Sequence, residues 1–482
     1  MSAAPDRPAA LPDWAAALAA LEHGLLQRDV AARCLLLATL AGEHLLLLGP
    51  PGTAKSELAR RLHRRLPGTR YFERLLTRFT VPEELFGPLS LRALEDDRYE
   101  RLTDGYLPQA EVAFLDEVFK ANSAILNTLL GLLHERQFDN GTLRQPVPLL
   151  CLVGASNEWP QDDGLQAFYD RFLLRVPVAP VDDAHFHALL LAPPPTPADA
   201  PSATGPGALH PAELDALRAQ AQAVELPADV LDRLRQARQR CRDQDTPVSD
   251  RRWRQLAGLL KVQAASRGDR AVNAWDLWVL PFVLPHRPDD TAAWAATFFT
   301  DVAQAEALDT TGLQAAVDAF EGQLDIERRT PADGPDDSAG KLALAQALAG
   351  PSGDSEMLRL VSDRAHKRYS AGHVASRVAQ LDGLCDQIDA LCVAVSTQAD
   401  AVTAAARAHP WLPPSWCAHI AAVHGQRRAQ AQALQAQAHG VRAGFAALPV
   451  DPASTEPEPI APPEGAATLP ADTAPAPRPT AP

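Results

Sequence analysis

Positive charge is in short supply: 45 lysines and arginines stand against 60 aspartates and glutamates in 482 residues, giving a net charge of -15 and a pI near 5.4. Such a balance offers no global attraction to nucleic acid or to an anionic membrane, so neither a nucleic-acid partner nor stable membrane insertion is expected, and protein partners are favoured. Paired cysteines are missing too. Cys34, Cys151, Cys241, Cys385, Cys392 and Cys417 show no C-x-x-C spacing and lie mostly in apolar stretches, which suits small buried hydrophobes better than metal ligands or disulfides. No apolar run approaches the ~18–20 residues that span a bilayer, and the opening MSAAPDRPAALPDW has no basic-then-apolar leader, so a reducing cytoplasm is the expected setting. No internal repeat is present, and the length is too great for one compact unit; about two to four domains are expected.

One stretch is dense in signal. Leu45 to Glu57, LLLLGPPGTAKSE, reads as a strand buried on both faces, a tight Gly/Pro turn and a helix opening at Lys55-Ser56. This is the layout of a phosphate-binding loop. Backbone N–H groups from Gly52 through Thr53, Ala54 and Lys55 to Ser56 would wrap a β-phosphate, the Lys55 ammonium would bridge β and γ, and the Ser56 hydroxyl would ligate Mg²⁺. Gly49 opens the turn and Glu57 follows it. Ala54 stands where the generic pattern has glycine, which a methyl tolerates if the residue has helical dihedrals. A second signal is Val112-Ala113-Phe114-Leu115-Asp116-Glu117, an apolar strand ending on two carboxylates in the Walker B pattern. At the carboxyl end of a parallel strand, Asp116 would hold Mg²⁺ through water and Glu117 would polarise the attacking water.

Around these lie supporting elements. Residues 15–42 have helical spacing and form a lead-in in which Gly24, Leu25, Leu26 and Gln27 either contact the base or simply pack the turn. Tyr71 to Thr80 reads as a second strand, and 88–110 as a small hairpin-like insertion. Asn140-Gly141 signals a hairpin before the strand Leu149 to Ser156, whose end delivers Asn157 as a candidate γ-phosphate contact or an ordinary strand-ending amide. Arg171 has no acid at i±4 and is either an arginine finger reaching a neighbouring subunit or a surface ion-pair residue; Arg136 is a second claimant. Ser249-Asp250 caps a helix carrying Arg251 in its first turn, where it opposes the dipole and calls for an anion nearby. The expected organisation is an αβα core over 1–191, a linker at 192–208, a helical lid at 209–285, a helical arm from 286–329 and 362–448, a short loose insert at 330–361 and a disordered Pro/Ala-rich tail at 449–482.

Together, GPPGTAKS (49–56), FLDE (114–117), NTLL (127–130) with ERQF (135–138), ASNE (155–158) and SDRRW (249–253) resemble the MoxR group of AAA+ ATPases. TRF (77–79), PEE (82–84), FGPLS (86–90) and RYERL (98–102) resemble its RavA branch, and Ala54 matches that group's own loop. The resemblance is strong over roughly residues 15–180 and 249–285. It implies an α/β AAA+ P-loop core with a helical lid and an all-α, triple-helical C-terminal region. It also implies an ATP- and Mg²⁺-dependent, chaperone-like homo-hexamer with a von Willebrand A domain (ViaA-like) partner, in which Asn157 is sensor 1, Arg171 the finger and Arg251 sensor 2. RavA proteins dock a lysine decarboxylase through a β-rich interruption of the arm, and the short segment at 330–361 is too small and too poor in strand pattern for it. Alternatives are the motor of a chelatase-like cofactor-insertion complex, a nucleic-acid translocase, which the acidic balance argues against, and a nucleotide-gated scaffold with little turnover.

Overall fold

The chain was analysed as a computed structural model that describes residues 13–160, 163–191, 207–246, 248–330, 367–452, 460–464 and 466. Most of the expected linker and tail, and nearly all of the 330–361 insert, lie outside the described residues. Contacts divide the chain into two units, one of Met1–Gln304 with Ala405–His419, the other of Ala305–Ala404 with Ile420–Pro482. The first unit therefore runs past residue 285, where the sequence placed the end of the lid.

The first unit opens with two helices, α1 (Trp14–Glu22) and α2 (Asp29–Ala41). They are separated at Gly24 to Arg28, where Gly24 and Gln27 have positive φ (67° and 55°). β1 (Leu45–Leu48) follows, its four leucines all buried, then α3 (Lys55–Arg64), β2 (Tyr71–Leu75), α4 (Pro82–Phe86) and α5 (Leu91–Glu95). β3 (Val112–Asp116), α6 (Ser123–Glu135), the pair β4 (Gln137–Asn140) and β5 (Leu143–Pro146), β6 (Cys151–Ser156), α7 (Asp163–Tyr169), β7 (Leu174–Pro177) and α8 (Phe186–Leu191) complete the core. The main sheet has the order β2-β3-β6-β1-β7, and every pairing in it is parallel. From β1 the chain crosses to β2 at one edge, returns through β3 and β6, then places β7 on the other side of β1. Strand order reverses at β1, so the crevice beyond its carboxyl end is where a parallel sheet of this kind takes a ligand.

Two expectations need correction. The second strand stops at Leu75 instead of running to Thr80. Thr80 Oγ1 accepts from the Thr77 amide at 2.9 Å and the Thr80 amide donates to the Thr77 carbonyl at 3.1 Å, a local turn that competes with extended pairing and leaves Phe79 82% exposed. The insertion at 88–110 is not a ladder: one antiparallel bridge, Leu89 to Arg101, closes a loop that contains α5. The predicted hairpin is present as β4-β5, and Asn140 is buried because its side chain bonds both the Arg101 amide (2.6 Å) and carbonyl (3.0 Å).

After the core come five helices of the same unit, α9 (Pro211–Ala221), α10 (Ala228–Asp243), α11 (Asp250–Ser266), α12 (Leu280–Val283) and α13 (Thr291–Asp301). In the second unit α14 (Thr311–Arg329) packs with parts of two long helices, α15 (Ala371–Ala408) and α16 (Pro414–Ala446), around Phe320, Leu324, Leu381, Ile388, Leu434 and Phe445. The turn between α15 and α16 belongs to the first unit. There the Trp411 indole N–H donates to Ser266 Oγ at 2.7 Å, and His409 Nε2 lies 3.1 Å from the fully buried Asp276 carboxylate, which also pairs with Arg267. Among the described residues no helix is long and apolar enough to cross a membrane.

Candidate functional site

The crevice is built from the carboxyl ends of β1, β3 and β6. Gly49 leaves β1 against β7: a Cβ there would sit 2.1 Å from the Val178 carbonyl oxygen, so no larger residue fits without moving that strand. Gly52 turns the loop at φ 82°. α3 begins with no side-chain cap, which leaves its first N–H groups to an external acceptor. Lys55 Nζ donates to the Gly49 and Pro50 carbonyls at 2.7 and 2.8 Å, and the Thr53 hydroxyl to the Pro50 carbonyl at 2.9 Å. Burial holds the Lys55 ammonium below its usual range, opposed by the Asp116 and Glu117 carboxylates. An uncapped helix end with a lysine resting on loop carbonyls is a donor set that fits a phosphate chain.

Ala54 carries φ 64° and ψ 24°, left-handed rather than right-handed helical. The helical dihedrals assumed from the sequence are absent, and the methyl is tolerated at the expense of local strain.

Asp116 ends β3, and its carboxylate accepts from the Glu117 amide at 3.0 Å. Glu117 also lies in the left-handed region, φ 53° and ψ 44°. Its Oε1 accepts from the side-chain amide of Asn157, the residue after β6, at 2.7 Å, and its Oε2 pairs with Lys120 at 3.2 Å. The strained backbone and the two donors fix the direction of one carboxylate at the mouth of the crevice. Ser56 and Asp116 supply one hydroxyl and one carboxylate, a donor set that suits Mg²⁺, which keeps most of its waters.

Residues 13–218 match the family described as "MoxR domain in the MoxR-vWA-beta-propeller ternary systems", and residues 229–296 match the AAA lid domain. The chain belongs to the MoxR group of AAA+ ATPases. The MoxR chain is 40% identical over 257 residues to the uncharacterized protein MJ0812 of Methanocaldococcus jannaschii, and 57% identical over 141 residues to MJ0079 of the same organism. These alignments take in 53% and 29% of this chain, and the chain spans 66% and 37% of those two relatives.

The remaining expected site residues fall in two places. Gln27 and Leu26 lie beside the phosphate loop, since the next residue, Arg28, donates to the Thr53 carbonyl at 3.0 Å. The Gln27 amide is engaged with Asp182 (2.6 Å) and the His185 ring (3.2 Å), tying this turn to the segment after β7. Glu57 turns along its own helix to Arg61 at 2.9 Å. Arg171 and Arg251 are elsewhere. Arg171 precedes β7, and Arg251 sits near Glu43, which precedes β1; Leu45 and Leu174 are in register, so both arginines stand at the amino edge of the sheet. β1 separates that edge from the phosphate loop by about 13 Å. Neither side chain makes a hydrogen bond or ion pair among the described residues, and burial, then Arg171 itself, holds the Arg251 guanidinium below its usual range. Arg136 is not available as a finger: its guanidinium donates to the Leu149 and Gly42 carbonyls and caps α2.

Sequence reasoning missed Arg28, Lys120 and Arg252. Arg28 braces the loop by its bond to the Thr53 carbonyl together with one to the Ala179 carbonyl at 2.8 Å. Arg252 is buried and donates to the carbonyls of Val283 (2.7 Å), Phe172 (3.0 Å) and Leu173 (2.7 Å), joining α11 to the strand below it. No spacing rule marks these residues, because their partners are backbone carbonyls tens of residues away. Lys120 was within reach, being three residues from Glu117.

Proposed function

We propose that this MoxR chain hydrolyses ATP with Mg²⁺ and uses the cycle to remodel or mature partner proteins, as a ring of six acting with a von Willebrand A domain protein. When bound, Mg·ATP supplies the γ-phosphoryl electrophile and the metal that offsets charge on it. Lys55 and the open N–H groups of α3 hold the phosphates, Ser56 and Asp116 face the metal, and the segment Leu25 to Gln27 walls the base. Glu117 orients and polarises water from a direction set by Asn157 and Lys120. Arg171 and Arg251, standing at the edge opposite their own loop and without hydrogen-bond or ion-pair partners among the described residues, serve the γ-phosphate of the neighbouring subunit. The description of the matching family supports the von Willebrand A partner, and the 77–79, 82–84, 86–90 and 98–102 segments support the RavA-like branch.

The observation that carries the reading is the Glu117–Asn157 contact across β3 and β6, facing the open end of α3. Glu117→Gln is expected to bind ATP within a few-fold of the parent and to lose about 10²-fold or more of its phosphate release. Undiminished hydrolysis by that variant would remove Glu117 from the chemistry. Co-purification of the intact protein with a von Willebrand A domain chain checks the partner.

A further inference from the structure

In the second unit a short piece of the tail lies on the helical arm near the start of α15. Arg377 Nη1 donates to the Ala461 carbonyl at 3.0 Å, and Gln380 Nε2 donates to the Ile460 carbonyl at 2.8 Å. Arg377 is 5% exposed and its other edge faces Glu327, also 5% exposed, at 3.3 Å. Glu327 takes a further 2.8 Å contact from His373 and one of 2.9 Å from Gln323. Gln380 is aimed in turn, because its Oε1 accepts from Arg377 Nη1 at 3.3 Å and leaves the amide N–H₂ outward. A buried carboxylate thus orients an arginine, and the arginine orients a glutamine, so that two donors present themselves side by side to one extended backbone.

The bound segment has the matching form. Ile460, Pro463 and Ala466 are half-buried, Ala461, Pro462 and Glu464 are exposed, and Ala466 packs against the arm's hydrophobic core. From Ile460 to Pro463 the segment runs without a turn and carries two prolines, and its Ile460 and Ala461 carbonyls are the ones that accept from the arm. The extended stretch ends there, because the Pro463 carbonyl accepts from the Ala466 amide at 3.0 Å. The chain arrives there easily. The Asp451 amide donates to the Tyr369 carbonyl at 2.9 Å, so the tail leaves α16 beside the start of α15, and the nine residues on to Ile460 span up to about 30 Å.

We propose that Arg377 and Gln380 form a recognition site for an extended, proline-containing peptide, and that the chain's own Ile460–Pro463 segment occupies it in cis and closes it to other peptides. The donors read only carbonyls, so selectivity comes from the residues at the half-buried Ile460 and Pro463 positions. A tethered ligand acts at an effective concentration of about millimolar, so the tail competes with any free peptide of micromolar affinity.

The test is fluorescence anisotropy with a labelled peptide of residues 456–468, added to the full chain and to a chain ending at Asp451. Micromolar binding to the shortened chain is expected, with binding to the full chain weaker by about tenfold or more. Peptides carrying Ile460→Glu or Pro463→Gly are expected to fail, and these need no refolding of the protein. Gln380→Ala in the shortened chain is expected to weaken binding without moving its melting temperature. No binding to the shortened chain, or equal binding of the Ile460→Glu peptide, overturns the site; equal binding by both chains overturns occupation in cis.

Discussion

Ala54 holds a conformation in which its methyl crowds the following carbonyl, at a position where glycine meets no such penalty. Ala54→Gly relieves about 1 kcal/mol of that strain and returns about half of it as added chain entropy. The expected result is a gain of about 0.5 kcal/mol in urea unfolding with nucleotide affinity unchanged within about twofold. A loss of stability would show that the left-handed geometry is not strained. Glu43 presents the opposite case, a charge held in an awkward place. Burial raises its carboxyl to about 7 against the pull of Arg136, the Gln255 amide and Arg251. A carboxyl raised above its free value of 4.5 binds a proton on folding, so its effect on stability is absent at low pH. The penalty grows as pH climbs from about 4.5 to 7 and is complete above that range. Glu43→Gln keeps an amide for Gln255 and removes the titration. It should unfold at nearly the same denaturant concentration as the parent near pH 4.5 and be more stable by about 3 kcal/mol at pH 8.

At the scale of elements, α11 separates two tasks between adjacent residues. Arg252 points inward to the carbonyls of Val283, Phe172, Leu173 and Asp170 and to the Asp170 carboxylate at 3.2 Å, and burial lowers its guanidinium to about 9. Arg251, one position earlier, has no such partner. Arg252→Ala leaves those carbonyls unanswered and the Asp170 carboxylate with Arg175 alone, and is expected to lower stability by about 3–5 kcal/mol. Arg251→Ala should melt within about 1 kcal/mol of the parent and lose ATP turnover instead. Equal melting of the two variants would show that α11 is not pinned through Arg252. The same contrast explains what could be read from the sequence. β1, the glycine turn, β3 and its terminal acids are local patterns written in consecutive residues, and so is the Ser249 cap, whose hydroxyl accepts from the Arg252 amide at 3.3 Å. The end of β2 was misplaced because a threonine pair supplied the backbone with a competing turn. Arg252 and Arg28 were invisible because what they bond is backbone brought close only by the completed sheet.

For the whole molecule, the sheet sets how sites are shared. The phosphate loop lies beyond the carboxyl end of β1, whereas Arg171 and Arg251 lie at its amino end, about 13 Å away through the sheet and too far for either side chain to reach its own loop. On the proposed reading such a guanidinium acts when another copy brings its loop alongside, as a head-to-tail ring would at every junction. Mixing two inactive variants distinguishes this from action within one chain. Lys55→Ala destroys the loop but keeps both arginines; Arg171→Ala keeps the loop but loses the finger. In a ring assembled at random from equal amounts, about one junction in four pairs an intact loop with an intact arginine. Phosphate release should therefore recover to about a quarter of the parent rate. If the arginine served its own loop, every junction would remain defective and the mixture would be as inactive as its components. The double variant Lys55→Ala/Arg171→Ala mixed with Arg171→Ala supplies the blank, because it offers neither loop nor finger.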